Sequence, residues 1–199
     1  SAAAVQLPPL SELTPIADPK SWEGPSSAII GGPTVSKVAD HPEQKLPATV
    51  ISHDKNGDVE VQVKDTSRLL ALSITGTIAE LVDAYGLADS LVGRDVSTLL
   101  PGYEDLPVVT RDGHSIDAEG VLALNPTLII TDGSIGPTDV VLQLRDAGVQ
   151  VVNVTRAHDP ESTYELAREV ADALGVSSLA EKLNSGLQQA IADKETEIA

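Results

Sequence analysis

The chain contains no cysteine and no methionine, so a side chain that ligates a transition metal must be one of the four histidines (His41, His53, His114, His158), a tyrosine or a carboxylate. His114 has the most informative surroundings. It lies in the run Arg111, Asp112, Gly113, His114, Ser115, Ile116, Asp117, between an apolar stretch 106–110 that reads as a strand and a helix that starts at Asp117. A neutral imidazole offers a ring nitrogen to a metal. Gly113 lets the backbone turn tightly just before it. A loop histidine usually does no more than hydrogen-bond the backbone. His114 differs in place, because it follows a strand of a predicted parallel sheet, where open α/β sheets bind their ligands.

Other residues on that edge carry complementary chemistry. Arg94 and Arg111 each follow a predicted strand, where a guanidinium can receive an anionic group. The ordinary alternative is a surface ion pair with one of the 30 carboxylates, and for Arg156, nearer the margin, that alternative is preferred. Thr75 and Gly76 precede a helix, so their amides can face an anion. Ser134, Ile135 and Gly136 form a loop of small residues that a flat ligand can approach. Tyr103 sits in a Pro-Gly loop, His53 borders a turn and is expected to face solvent, and His158 lies where a helix begins. Glu119 suits the first turn of its helix on dipole grounds alone.

The elements that must position these residues follow from periodicity. Residues 48–52 and 59–64 flank Asn56-Gly57, a hairpin signature that expects positive φ at the turn. From Arg68 onward strand and helix alternate. Strands are predicted at 69–74, 91–93, 106–110, 128–131 and 149–154. Helices are predicted at 77–85, 118–124, 139–147, 160–174 and 178–199. Asp159-Pro160 opens one helix, and Gly86 and Gly148 close others. Repeated βα units with near-continuous apolar strands imply an α/β fold: one Rossmann-like lobe with a mainly parallel sheet flanked by helices, an N-terminal hairpin in front and the start of a long linking helix behind. Residues 1–47 are punctuated by proline and glycine and read as an extended tether, with Trp22 as its packing anchor. Residues 48–177 form the lobe and 178–199 the linking helix, whose apolar stripe runs on without a stop signal.

Composition narrows the function. The net charge is −17, which repels nucleic-acid backbones and anionic membranes and favours solubility. Thiolate catalysis, disulfides and Cys-ligated metal sites are excluded. No apolar run approaches the roughly 20 residues of a membrane span. The start at Ser1 is compatible with removal of a leader. The loop after the first lobe strand (Thr75, Gly76, Thr77) lacks G-x-G-x-x-G, and no nucleophile elbow or P-loop lysine occurs, so no enzyme activity is expected.

Two segments carry a family resemblance. RLLALSITGTIAELVDAYGLADSLVGRD, from Arg68 to Asp95, resembles the opening βαβ unit of the substrate-binding proteins of metal-chelate ABC importers. IDAEGVLALNPTLIITDGSIGP, from Ile116 to Pro137, resembles the haem branch of that family. The likeness covers roughly residues 48–199. It implies two α/β lobes joined by a long helix, of which this sequence holds the N-terminal one, with cargo held between them. It implies a lipid-anchored, extracytoplasmic carrier that binds haem and hands it to an ABC importer permease. A siderophore or cobalamin carrier of the same fold is the alternative, and the 2% aromatic content counts against a siderophore pocket. By this resemblance His114 is the axial iron ligand, since it sits a few residues before Ala118-Glu119-Gly120. Arg111 or Arg94 would take a propionate, and Tyr103, Thr75, Ser134 and Gly136 would line the macrocycle. Glu119 would dock to the permease. An N-lobe alone would leave one haem face uncovered, so a haem-mediated homodimer is expected, either with a second ligand from the partner or with stacked haems.

Overall fold

The computed structural model describes residues 35–112 and 114–198. Trp22 and most of the expected tether lie outside the described residues, as does Gly113.

The core is a parallel three-stranded sheet of β3 (Leu69–Leu72), β6 (Leu128–Thr131) and β7 (Gln150–Asn153), in the spatial order β3-β6-β7. Each of the first two strands is buried along its whole length, as a sheet covered on both faces requires. Beyond β3 the sheet continues through single parallel bridges, Leu69 with Leu91 and Arg94 with Val108. The strands expected at 91–93 and 106–110 are therefore reduced to bridges. The amide of Arg94 donates to Pro107 and that of Val109 to Arg94, both at 2.9 Å. Pro107 has no N–H to give back, which shortens the ladder. The chain then turns into a small antiparallel hairpin of β4 (Thr110–Arg111) and β5 (Ser115–Ile116).

Helices cover both faces. The first core joins α1 (Thr77–Ala84), α4 (Pro160–Ala173) and the start of α5 (Ala180–Ile198) to Leu69, Ala71, Leu128, Ile130 and Val152. The second joins α2 (Ala118–Ala123) and α3 (Thr138–Gln143) to Leu70, Leu72, Ile129 and Val151. Alternate strand residues serve alternate faces, the period-two rule of a strand. α3 ends earlier than its sequence suggests. Asp146 and Ala147 donate to Gln143 and Leu144, so the chain tightens into i→i+3 turns before Gly148. α4 opens with a capping box between Asp159 and Ser162. Among the described residues, no helix is long and apolar enough to cross a membrane.

The N-terminal hairpin pairs β1 (Ala48–Asp54) with β2 (Gly57–Val63). Its two-residue loop is Lys55-Asn56, since Asp54 faces Gly57 in the register. Gly57 takes φ +116°, whereas Asn56 is not among the residues with positive φ, so the expected turn is shifted by one residue. Side chains, not a ladder, fix the hairpin to the free edge of β7. Ser52 Oγ accepts from the amide of Asn153 at 2.8 Å, and Arg145 bridges the Val151 carbonyl to Asp54. Burial opposes ionisation of Asp54, but hydrogen bonds from Arg145, Ser52 and Asn153 outweigh it and hold its pKa at about 2.

Residues 35–47 run extended across the ends of α1 and α4. Val38 donates to Ala84, His41 to Gly86 and Lys45 to Gly175. Gly86 and Gly175 do two jobs there. Both take positive φ, and a Cβ on either would fall within 2.7 Å of this segment's backbone.

A candidate ligand edge at the sheet switch point

The strand order fixes the site. From β3 the chain moves outward to Leu91 and Val108, then returns across β3 to lay down β6 and β7 on the other side. The winding direction thus reverses between β3 and β6. At such a point the loops after neighbouring strands part and leave a crevice at the carboxyl edge. The loops concerned are residues 73–76 after β3 and 132–137 after β6.

The structure brings several of the expected residues together here. His114 is exposed at the tip of the β4–β5 hairpin. Its carbonyl accepts from Gly136 at 3.0 Å, and Ile116 donates to the Gly136 carbonyl at 2.7 Å. The hairpin is thereby stitched to the loop after β6. Two residues earlier, Ser134 Oγ accepts from the amide of Ile74 at 2.9 Å, which ties that loop to the one after β3. Asp132 Oδ1 accepts from the amide of Ser134 at 3.0 Å and also bonds its hydroxyl. His114, Gly136, Ser134, Ile74 and Thr75 therefore form one continuous lip. Thr75 is exposed there, with its hydroxyl 2.8 Å from that of Thr77. Gly76 takes φ +72° as the N-cap of α1.

The remaining candidates stand otherwise. Arg111 is 65% exposed and its Nη2 lies 2.8 Å from Asp117 Oδ2. Arg94 is committed to its own loop, donating to the carbonyls of Glu104, Asp95 and Thr98. Tyr103 packs against the α1–α4 core, whereas the neighbours of His114, Val109 and Ile116, belong to the α2–α3 core. The Tyr103 hydroxyl donates to Asp89 at 2.6 Å, and that bond with partial burial pushes its pKa up to about 12. Glu119 is exposed on α2, beside Leu122 at 44% exposure. His158 shapes the start of α4, its amide donating to Ser162 Oγ at 3.0 Å. His53 does not simply face solvent: its two ring nitrogens contact Asp58 at 2.9 Å and Glu169 at 2.8 Å.

Two features of this edge escape a reading of the sequence. Ile74, Val96 and Leu99, at 37%, 48% and 78% exposure, leave apolar surface on loops at the carboxyl edge of the sheet. Val96 is held by its amide, which donates to Thr110 Oγ1 at 3.0 Å. Beneath them Asp95 is fully buried. It accepts from the amides of Ser73, Ser97 and Thr98 and from the Thr98 hydroxyl, and so joins the first two loops of the edge. The Asp-x-Ser-Thr pattern signals the turn but not the bond to Ser73. Two open hollows lie elsewhere, between β2 and β7 and between β1 and α4. The switch-point edge is exposed surface. Among the described residues, no cluster of three or more His, Cys, Asp or Glu could hold a bare metal ion. An exposed histidine on an edge that also carries exposed apolar side chains suits a ligand that brings its own equatorial donors.

Residues 72–199 match the Periplasmic binding protein family, and the chain belongs to it. That family consists of binding proteins, not enzymes. A crystal structure of the haem-binding protein HmuT is 39% identical, with a TM-score of 0.69 over 76% of this chain and 48% of that one. A periplasmic haem-binding protein from Pseudomonas aeruginosa is 33% identical, with a TM-score of 0.56 over 62% of this chain and 43% of that one. An uncharacterized ABC transporter substrate-binding lipoprotein, YvrC of Bacillus subtilis (strain 168), is 26% identical over 146 residues, covering 72% of this chain and 45% of its own. The chain thus spans about half the length of these relatives.

Proposed function

We propose that this chain binds haem at the switch-point edge, outside the cell, and serves an ABC importer as its substrate carrier. The observation that carries the reading is the placement of His114. It stands exposed at a hairpin tip whose backbone is bonded to the loop after β6. Its imidazole supplies an iron donor at this edge. Ile74, Val96 and Leu99 offer apolar surface to the macrocycle. Thr75, Ser134 and Gly136 keep the lip low enough for a flat ligand. Arg111 is the cation best placed for a propionate, because Arg94 is spent on loop carbonyls.

Glu119 and Leu122, on the outer side of α2, form the surface offered to the permease. α5 continues toward a second lobe, and anchoring is by lipid, as in the lipoprotein relative. A haem held against this lobe turns its opposite face outward as apolar surface, and two haem-loaded lobes associate through it. Sedimentation with and without hemin checks this, and a haem-loaded monomer at high concentration refutes it.

The central test is a hemin titration of the wild type and of His114→Ala. The wild type is expected to shift the Soret band, and the variant to lose that shift and most of its affinity. Equal spectra and affinities overturn the assignment of His114. The absence of any protein-specific Soret shift in the wild type favours a siderophore or cobalamin carrier.

A further inference from the structure

We propose that Asp117 is an affinity-limiting counter-charge for the cargo: it weakens the grip of Arg111 on the anionic group of the ligand so that the ligand can be released. The inference rests on the haem reading above. It assigns a role to a residue that touches neither iron nor macrocycle.

Arg111 faces Ser115 across the β4–β5 hairpin, one residue from His114. Its guanidinium is exposed, and its ion pair brings Nη2 to 2.8 Å from Asp117 Oδ2. A guanidinium carries five N–H donors in a rigid fork, so a second carboxylate can share it without breaking the first contact. Asp117 itself cannot drift away. Its amide donates to Val109 at 2.8 Å and its carbonyl accepts from Val121 at 2.9 Å. It stands at the N-cap of α2, yet its side chain caps nothing there. The carboxylate is given over to Arg111.

The consequence is electrostatic. A propionate that reaches Arg111 meets a cation already half-neutralised, within a chain of net charge −17. At contact-pair separations one fixed unit charge changes the affinity of another by about threefold to tenfold in a solvent-exposed setting. Arg111 is 65% exposed, so the pair contributes little to the stability of the fold. Its effect falls instead on the ligand, in the direction a carrier needs if it is to hand cargo on.

Asp117→Asn tests this cleanly, because asparagine is as good an N-cap and keeps an oxygen for Arg111. Hemin and hemin dimethyl ester are titrated into the wild-type chain, Asp117→Asn, Arg111→Gln and the double variant. Asp117→Asn is expected to bind hemin about threefold to tenfold more tightly. The gain should vanish with the ester, vanish in the Arg111→Gln background and shrink at high salt. If Asp117 only positions Arg111, Asp117→Asn binds hemin equally or more weakly, and the proposal falls. A gain that persists with the ester also overturns it, since the propionate is then not involved. Failure of the wild type to bind hemin at all overturns the haem reading and this proposal together, and is told apart by the missing Soret shift.

Discussion

The Gly136 amide donates to the His114 carbonyl at 3.0 Å, and the Gly136 carbonyl accepts from the amide of Ile116, two residues on, at 2.7 Å. The hairpin that presents the imidazole is therefore an added rung on the loop after β6. Its position is set by main-chain geometry, independently of the side chains at its tip.

That relationship makes Gly136→Pro a selective lesion. It deletes one N–H and leaves the His114 carbonyl without its donor, a loss of about 1 kcal/mol. Hemin affinity should fall by roughly fivefold or more, as His114 gains freedom it must lose again on binding. Gly136→Ala is the control. It keeps the N–H, and its Cβ meets only the amide of Thr138, at 3.4 Å. Hemin titration and thermal unfolding of both variants check this; equal affinities would show that the rung does not position His114.

Asp95 is the second structural bond of the edge. Its carboxylate receives three amides and one hydroxyl while fully buried. Asp95→Ala strands the amides of Ser73, Ser97 and Thr98 and should cost about 3 kcal/mol or more. Asp95→Asn keeps one acceptor and should cost less. Urea denaturation is the measurement, and a loss below about 0.5 kcal/mol for the alanine variant would show that the loops hold without it.

Periodicity made the βα alternation legible because fully buried parallel strands write continuous apolar runs, as at Leu69–Leu72 and Leu128–Thr131. The place of His114 was legible only in outline, because the strand expected at 106–110 is a single bridge at Val108. The hairpin that carries it was not, since β4 and β5 have two residues each and no periodicity to show. Arg94 stands where its sequence place puts it, and its guanidinium turns back onto loop carbonyls, which no sequence pattern signals. Tyr103 packs against the α1–α4 core, and adjacency to an edge loop does not say which face of the sheet a side chain joins. Ile74 falls in the strand expected at 69–74, and the fold leaves it exposed together with Val96 and Leu99.

The segment 35–47 should detach when Gly86 is given a side chain. A Cβ there would lie 2.4 Å from the Ala39 carbonyl oxygen, at φ +79°. Gly102 takes φ +89° with nothing within 4 Å, so Gly102→Ala measures backbone strain alone, about 1 kcal/mol. Gly86→Ala should exceed it by at least about 1 kcal/mol, the added cost of displacing a packed segment. Limited proteolysis near Ala39 should quicken in the same variant. Equal stability losses for the two variants would mean that the segment yields freely.

His53 gives the fold a pH dependence whose sign follows from its partners. Hydrogen bonds to Asp58 and then Glu169 raise its pKa above 6.5, and burial opposes them only in part. Asp58 faces it from β2 and Glu169 from α4, with Asp172 of α4 lining the same hollow. Glu169 is itself held by the amide and hydroxyl of Thr155, at 2.6 and 2.8 Å, so the protonated ring links hairpin, helix and the loop after β7. A group whose pKa is higher in the folded chain stabilises the fold fully below its unfolded value. Here that contribution is complete below about pH 6.5 and is lost as pH rises through the folded value. Stability of the wild type relative to His53→Gln should therefore be greatest near pH 5.5–6 and shrink toward pH 8–9. Paired urea denaturation across that range checks it. A difference that is flat, or that grows with pH, would show that the ring is neutral in both states or is held by something other than these two carboxylates.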